Sequence, residues 1–155
     1  MAKPDIEDVA DQLISVFKDQ FPDALSAVDS AKVTPLNPKP PLQWVFGDVQ
    51  SAPQMPAMLF IGRETQEKDD NYQWRNQTYQ FEIEAYVSSS DVQQLNRIVR
   101  RYGTAIDNVL RANQTLGGLS RNLTNINQKL YDSMKAPTGL FQVVAVSFNV
   151  TVITD

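Results

Sequence analysis

The sequence predicts an α+β fold in which a single antiparallel β-sheet carries an N-terminal helix and a central helix packed on one face. The first observation is an amphipathic segment, residues 88–112, whose apolar residues recur at spacings of three and four and fill about 120° of a helical wheel. The second is the alternation of apolar and polar residues over residues 78–87 and 140–153. Such alternation indicates strands that are covered on one face only. The helix stripe and the two apolar strand faces are therefore expected to form the core.

The central helix has recognisable ends. Ser90 or Asp91 is expected to cap its first turn, because either side chain can accept a hydrogen bond from a free backbone N–H. Gly117 and Gly118 lie just past its last turn, where glycine favours an exit from the helix. The face opposite the apolar stripe carries basic residues that we expect to meet solvent or a partner, Arg97, Arg100, Arg101 and Arg111.

The strand faces follow from the alternation. In the first strand the side predicted to face the core carries Tyr79, Phe81, Ile83, Ala85 and Val87. In the last strand that side carries Val144, Val146, Phe148, Val150 and Val152. The opposite side of the first strand carries Glu82 and Glu84, which are expected to lie on the open face of the sheet.

An N-terminal helix is predicted over residues 4–21, with Pro22 ending it. Asp5, Glu7 and Asp8 fall in its first turn, where the helix dipole stabilises acidic side chains. These residues, with Asp11, are interpreted either as a solvated helix face or as a binding patch.

The chain between the helices is predicted to be a Pro-rich extended arm, residues 30–56, that contains a short edge strand at residues 42–46. Another strand is predicted at residues 57–64, followed by a projecting loop at residues 65–77. Tyr72 and Trp74 in that loop either grip a partner or fold back on the sheet. Residues 119–131 are predicted to form a strand, and its many Asn residues suggest a twisted or edge position.

Composition restricts the possible function. The 155 residues fit a single domain, residues 1–155, and a net charge of −4 with 21% charged residues argues against disorder or extensive nucleic-acid coating. The absence of Cys and His excludes disulfides and thiolates and removes the commonest general base and metal ligand. No apolar run approaches membrane-spanning length, and the acidic N-terminus does not resemble a signal peptide, so we expect a protein made in the cytoplasm.

The sequence contains no phosphate-binding loop, dinucleotide fingerprint or calcium-loop spacing. We therefore expect no enzyme activity, no cofactor and no metal. One alternative is a hydrolase, because Glu82 and Glu84 are expected to lie about 7 Å apart on one strand face, a separation used by inverting glycosidases. The other interpretation, which we favour, is a solvated or partner-facing sheet surface.

The order of elements resembles that of the small tail-terminator and head–tail joining proteins of tailed bacteriophages. The resemblance extends over most of the chain, from the acidic helix and the Pro-rich connection to the strand pair with its polar loop. It continues through the helix Leu95-x-x-Ile98-Val99-x-x-Tyr102 and the final strand Phe141-x-Val-x-Ala-Val-x-Phe148. The resemblance lies in the order of the elements, the length of the chain and the pattern of residue types, because this family has no diagnostic sequence motif.

The resemblance implies a structural virion protein located at the head–tail junction and assembled in the host cytoplasm. Proteins of this family form a ring, usually of six subunits, that caps the tail tube and docks on the head connector. The implied partners are other copies of the chain, the tail tube protein and the connector, while DNA passes through the channel without specific binding. An alternative is another virion component of related fold, such as a head-closure or baseplate protein.

A ring built from one kind of subunit needs two different complementary patches on each copy. The candidate interface residues are the acidic set Asp5, Glu7, Asp8 and Asp11, the aromatic pair Tyr72 and Trp74, and the basic set Arg97, Arg100 and Arg101. No catalytic residue is carried over from the family.

Overall fold

The computed structural model describes residues 4–47, 54–64, 68–70, 74–136 and 139–154. The elements in chain order are α1 (Ile6–Ser30), β1 (Gln43–Phe46), β2 (Ala57–Glu64), β3 (Lys68–Asp70), β4 (Trp74–Ser89), α2 (Val92–Ala112), a 3₁₀ turn (Leu116–Gly118), β5 (Asn122–Leu130), β6 (Met134–Ala136) and β7 (Gly139–Thr154). The predicted α+β class, with an N-terminal helix and a central helix, is confirmed.

The strands form a sheet of order β1-β2-β4-β7-β5, with β3 and β6 pairing to β4 and β7. The long strands β4 and β7 run antiparallel over most of their length and form its centre. One described pair, β1 with β2, is parallel, so the sheet is mixed where an antiparallel sheet was predicted. Alternation of apolar and polar residues reports which face of a strand is buried and does not report its direction. The direction of β1 was therefore not predictable from the pattern that located it.

Both helices lie on one face of the sheet, and the core fills the space between them and the strands. The predicted strand faces are correct, since Phe81 and Phe148 are buried and their rings stack 6.0 Å apart on adjacent strands. Phe21 of α1 contacts Tyr102 of α2 with a centroid separation of 5.3 Å. Phe17 packs edge-on against Phe60 of β2 at 5.5 Å. Aromatic contacts of this kind join the helices to each other and to the sheet.

The prediction that Pro22 ends the first helix is wrong, because α1 continues through it to Ser30. An internal proline removes one backbone hydrogen bond and costs about 3 kcal/mol. Leu25 and Val28, in the turns after the proline, are buried in the core. Full burial of such a side chain contributes about 1.5–3 kcal/mol. The packing of the last two turns therefore offsets the cost of the proline.

The central helix begins one residue after Asp91, which is the cap that the sequence offered beside Ser90. The Asp91 carboxylate accepts hydrogen bonds from the backbone N–H groups of Gln93 and Gln94, at 3.0 and 3.4 Å. After the helix, Gly117 adopts a φ of 69° inside the 3₁₀ turn. Glycine occupies this left-handed region without the cost that a side chain would add. The turn then directs the chain into β5.

The edge positions predicted for the short strand at residues 42–46 and for the Asn-rich strand are confirmed, since β1 and β5 lie at the two ends of the strand order. The pairing of β5 with β7 shifts between Thr124 and Asn127, and Asn125 there has a φ of 54°. Such bulges bend an edge strand and increase its twist. The loop predicted at residues 65–77 is wrong for the residues of β3 and for the start of β4, which pair as antiparallel strands.

Candidate subunit interface

The acidic residues at the start of α1 divide into two that cap the helix and two that are available to a partner. Asp5 accepts a hydrogen bond from the backbone N–H of Asp8 at 2.8 Å, and Asp8 accepts one from that of Asp5 at 3.0 Å. This reciprocal capping box satisfies backbone donors that the helix leaves unpaired. Glu7 and Asp11 are exposed and lie four residues apart, on one side of the helix. We call the exposed pair, Glu7 and Asp11, the acidic end of α1.

The other end of α1 holds the first part of the Pro-rich arm in place. Asp29 is buried, and its carboxylate accepts hydrogen bonds from the backbone N–H groups of Leu36 and Asn37, both at 3.0 Å. Arg101 of α2 donates a further hydrogen bond to the same carboxylate. Burial raises the pKa of Asp29, but the backbone hydrogen bonds and the Arg101 charge lower it by more, so that it lies below its usual value. Asp29 is therefore held as a carboxylate.

Arg101 is buried, whereas the sequence predicted it to be exposed on the basic surface with Arg97 and Arg100. Its side chain is only 6% exposed. The guanidinium is ion-paired with Asp29 and also donates a hydrogen bond to the backbone carbonyl oxygen of Thr34 at 2.9 Å. A helical wheel placed Arg101 on the polar face because it takes no account of a neighbouring helix end. The end of α1 and the arm cover this position, and they supply the acceptors that a buried guanidinium needs.

Tyr102 makes the third contact to the arm. Its ring is buried in the core, and its hydroxyl donates a hydrogen bond to the backbone carbonyl oxygen of Lys39. Burial raises the pKa of Tyr102, so the phenol stays neutral and keeps its proton for this bond. Asp29, Arg101 and Tyr102 together fix residues 34–39 against both helices. The helical periodicity predicted Tyr102 as a residue of the apolar stripe, but it contained no signal for the hydrogen bond to the arm.

An open pocket of about 210 Å³ lies beside this anchored arm. Its lining residues are Lys32, Arg97, Arg100, Arg101 and Thr104, and we call this set the basic pocket. Arg97 and Arg100 are exposed, as predicted, and Arg100 Nε donates to Asn96 Oδ1 at 2.8 Å. Guanidinium groups have the geometry to bind carboxylate or phosphate oxygens. The pocket is therefore suited to an anionic group.

The acidic end of α1 and the basic pocket lie at opposite ends of the same helix. The two helices are antiparallel neighbours, since Arg101 bonds Asp29 near the end of α1 while Asn113 bonds Gln20 nearer its start. Lys32 follows the last turn of α1, whereas Glu7 lies in the first. A helix of this length extends about 36 Å at 1.5 Å per residue. The two charged regions of one chain therefore cannot contact each other.

The sheet face that points away from the helices mixes apolar and charged residues. Tyr86 and Phe141 are half-buried there, and their rings stack 6.4 Å apart. Glu82 and Glu84 lie on this face as predicted, both half-buried, and Tyr86 donates a hydrogen bond to Glu84 at 3.4 Å. Glu82 also lines a shallow pocket of about 180 Å³ that includes Arg63. We call this surface the open sheet face.

The aromatic loop residues of the predicted interface are not placed. Tyr72 lies outside the described residues, and only the backbone of Trp74, the first residue of β4, is described. Among the residues that the structure describes, no group of three or more acidic side chains is arranged to hold a metal ion. Neither helix of the described part is long and apolar enough to cross a membrane.

No protein-family model matches the chain, and no curated protein matches it. Among solved structures, the chain is similar to one from the virion of a native gene transfer agent particle. The two share 10% sequence identity with a TM-score of 0.37, and the match covers 88% of this chain and 97% of the other.

Proposed function

We propose that this protein is a structural subunit of a tailed-phage virion, a tail terminator or neck component that assembles with copies of itself into a ring. The ring, of six subunits as is usual in the family that the sequence resembles, caps the tail tube and joins it to the head connector. DNA passes through its channel without base-specific contacts. The protein acts by binding and performs no catalysis.

The open sheet face is the observation that carries this proposal. Protein interfaces combine aromatic anchors with polar groups at their rims. On this face the half-buried stacked pair Tyr86 and Phe141 lies beside the half-buried Glu84 and the buried Leu59 and Val143. A sheet backed by helices is also a rigid support for such a surface. These properties suit a component that stacks on another ring, and the order of elements agrees with the family that the sequence resembles.

The proposal is tested by adding the purified protein to tail tubes assembled without their terminator and imaging them by electron microscopy. We expect a ring at one end of each tube and heads that attach to the capped tails. Tyr86→Glu should prevent capping, because it places a charge where the neighbouring ring is expected to pack. Ser15→Glu is the matched control, because it adds the same single negative charge at an exposed position on α1, on the other side of the sheet. Tubes that stay uncapped with the wild-type protein would contradict the proposal.

A further inference from the structure

We infer that the basic pocket binds the acidic end of α1 from a second copy of the chain, so that subunits associate head to tail. This inference rests on the ring of the proposed function and names the contact that closes it. It concerns four exposed side chains, with Arg97 and Arg100 on one copy and Glu7 and Asp11 on the other.

The basic pocket keeps a positive charge that can bind a partner, because the acidic residue beside it, Asp29, already has hydrogen-bond donors for its carboxylate oxygens. Asp29 is the buried carboxylate next to the pocket, and Arg101 and the backbone of the arm occupy its oxygens. The charge of Arg101 is therefore balanced by Asp29, while Lys32 and the two exposed arginines have no ion-pair partner among the residues that the structure describes. An incoming carboxylate would meet this charge with no acidic group of the pocket to repel it.

The spacing of the charges on the two helices is complementary. Arg97 and Arg100 are three residues apart on α2, and Glu7 and Asp11 are four residues apart on α1. Side chains at either spacing project from the same helix face with Cβ atoms about 5–6 Å apart. Two carboxylates on one helix can therefore meet two guanidinium groups on the other at once. Such a two-point contact fixes the register of the subunits as well as attracting them.

The overall charge favours a protein carboxylate over nucleic acid as the occupant. The chain carries a net charge of −4, so that it repels a polyanion at a distance. Nucleic-acid-binding domains instead have a basic surface that extends over many phosphates. The basic pocket is local, and the same chain carries the complementary acidic group.

The arrangement also determines the symmetry of the assembly. The acidic end and the basic pocket lie toward opposite ends of α1, since Glu7 and Asp11 precede Asp29, the residue beside the pocket, by about 33 and 27 Å along the helix. Contact between them is therefore intermolecular, and it joins two different patches rather than one patch to itself. Such heterologous contacts produce closed rings when the rotation between subunits closes, and open filaments otherwise.

A charge-swap experiment tests the contact. One variant carries Arg97→Glu with Arg100→Glu, and the other carries Glu7→Lys with Asp11→Lys. Asp5 and Asp8 are left unchanged because they form the capping box of α1. Self-association is followed by analytical ultracentrifugation at low and high salt, with circular dichroism to verify folding. A double variant, Arg121→Glu with Lys135→Glu, is the control for the arginine variant, because it makes the same change in net charge at exposed positions outside the pocket.

We expect the wild-type protein and the control to associate, and salt to weaken that association because exposed charges are screened. Each swap variant alone should associate at least about tenfold more weakly, since it presents like charges at both patches. An equal mixture of the two should associate again, because every contact in an alternating ring then joins opposite charges. Normal association of either variant alone, or a mixture that stays dissociated, would overturn the inference. So would a wild-type chain that stays monomeric and binds duplex DNA through Arg97 and Arg100.

The tail-capping assay separates this inference from the proposed function. If the Arg97→Glu, Arg100→Glu variant caps tail tubes as the wild type does, the head-to-tail contact is wrong and the structural role stands. If the charge swap behaves as expected but no copy caps a tube, the contact stands and the neck role is wrong.

Discussion

Arg101 and Asp29 form a buried ion pair that joins the middle of α2 to the last turn of α1. The two side chains are 6% and 4% exposed, and each also bonds the backbone of residues 34–37. Every oxygen of Asp29 accepts a hydrogen bond, which is the condition under which a buried charge is tolerated. The pair therefore holds the Pro-rich arm beside the basic pocket.

Arg101→Met should destabilise the protein by about 3–5 kcal/mol, because it leaves the Asp29 carboxylate buried without its cation. The double variant Arg101→Met with Asp29→Leu should lose less than the single variant, since neither charge then remains to be compensated. Urea unfolding followed by circular dichroism measures both. A double variant that is less stable than Arg101→Met would mean that the backbone contacts of Asp29, rather than its ion pair, fix the arm.

Asp29 should also make the free energy of unfolding depend on pH. Its pKa in the folded protein lies below the usual value of 3.8, whereas in the unfolded chain it is near that value. The stabilisation that the ionised Asp29 carboxylate contributes is therefore complete above its pKa in the unfolded chain, and it is lost as the pH falls through its pKa in the folded protein. Thermal melts of the wild type and Asp29→Asn should differ most near neutral pH and converge in strong acid. A difference that stays constant over this range would contradict the assignment.

Phe148→Ala should destabilise the protein by about 3–5 kcal/mol, because the ring is buried between the sheet and the helices. Thr151→Ala, three residues on and on the open sheet face, should cost less than half of that, since its side chain is half-buried. Both residues lie on the same strand, so the comparison shows how much stability each face of the sheet loses when a side chain is shortened. Equal losses in chemical denaturation would show that the open face is as well packed as the core.

How far a sequence predicts structure depends here on the range of the interaction. Hydrophobic periodicity and helix capping depend on residues only a few positions apart. Local sequence pattern was therefore enough to predict α2, the buried faces of the strands and the Asp91 cap. The continuation of α1 past Pro22 depends on burial of Leu25 against residues far along the chain. The burial of Arg101 likewise depends on Asp29, which is 72 residues away. Local sequence pattern contains no information on such contacts. The predicted basic surface therefore included Arg101, which is buried in the structure.

Glu82→Gln together with Glu84→Gln should leave assembly unchanged, because glutamine keeps the size and the hydrogen-bonding oxygen of these residues on the open sheet face, and the proposed function assigns the lost charges no chemistry. In the described structure their neighbours across the sheet are Leu59, Ile61, Ala145 and Ser147. Sedimentation of the double variant with tail tubes measures assembly, and a chromogenic glycoside measures hydrolysis. Turnover by the wild type that the double variant lacks would instead support the carboxylate-dependent hydrolase.

Gly62→Ala should destabilise the protein by about 1–3 kcal/mol through overpacking between α1 and the sheet. A Cβ at Gly62 would lie 2.8 Å from Phe81 Cε1 and 2.9 Å from Ile6 Cδ1, both closer than carbon atoms approach. The Phe81 ring has little room to move because it stacks on Phe148. Ile6→Val in the same chain should recover part of the loss, since it removes the Cδ1 atom and leaves the clash with the ring.

Gly103→Ala is the matched control for that variant. The closest group to a Cβ at Gly103 is the amide of Gln128, which is an exposed side chain that can rotate away, and Val144 Cγ2 follows at 3.0 Å. Alanine also favours the helix over glycine by about 1 kcal/mol. We therefore expect Gly103→Ala to change the free energy of unfolding little, while Gly62→Ala lowers it. If the two variants unfold at the same urea concentration, the close approach of α1 to β2 at Gly62 is not the constraint that excludes a side chain there.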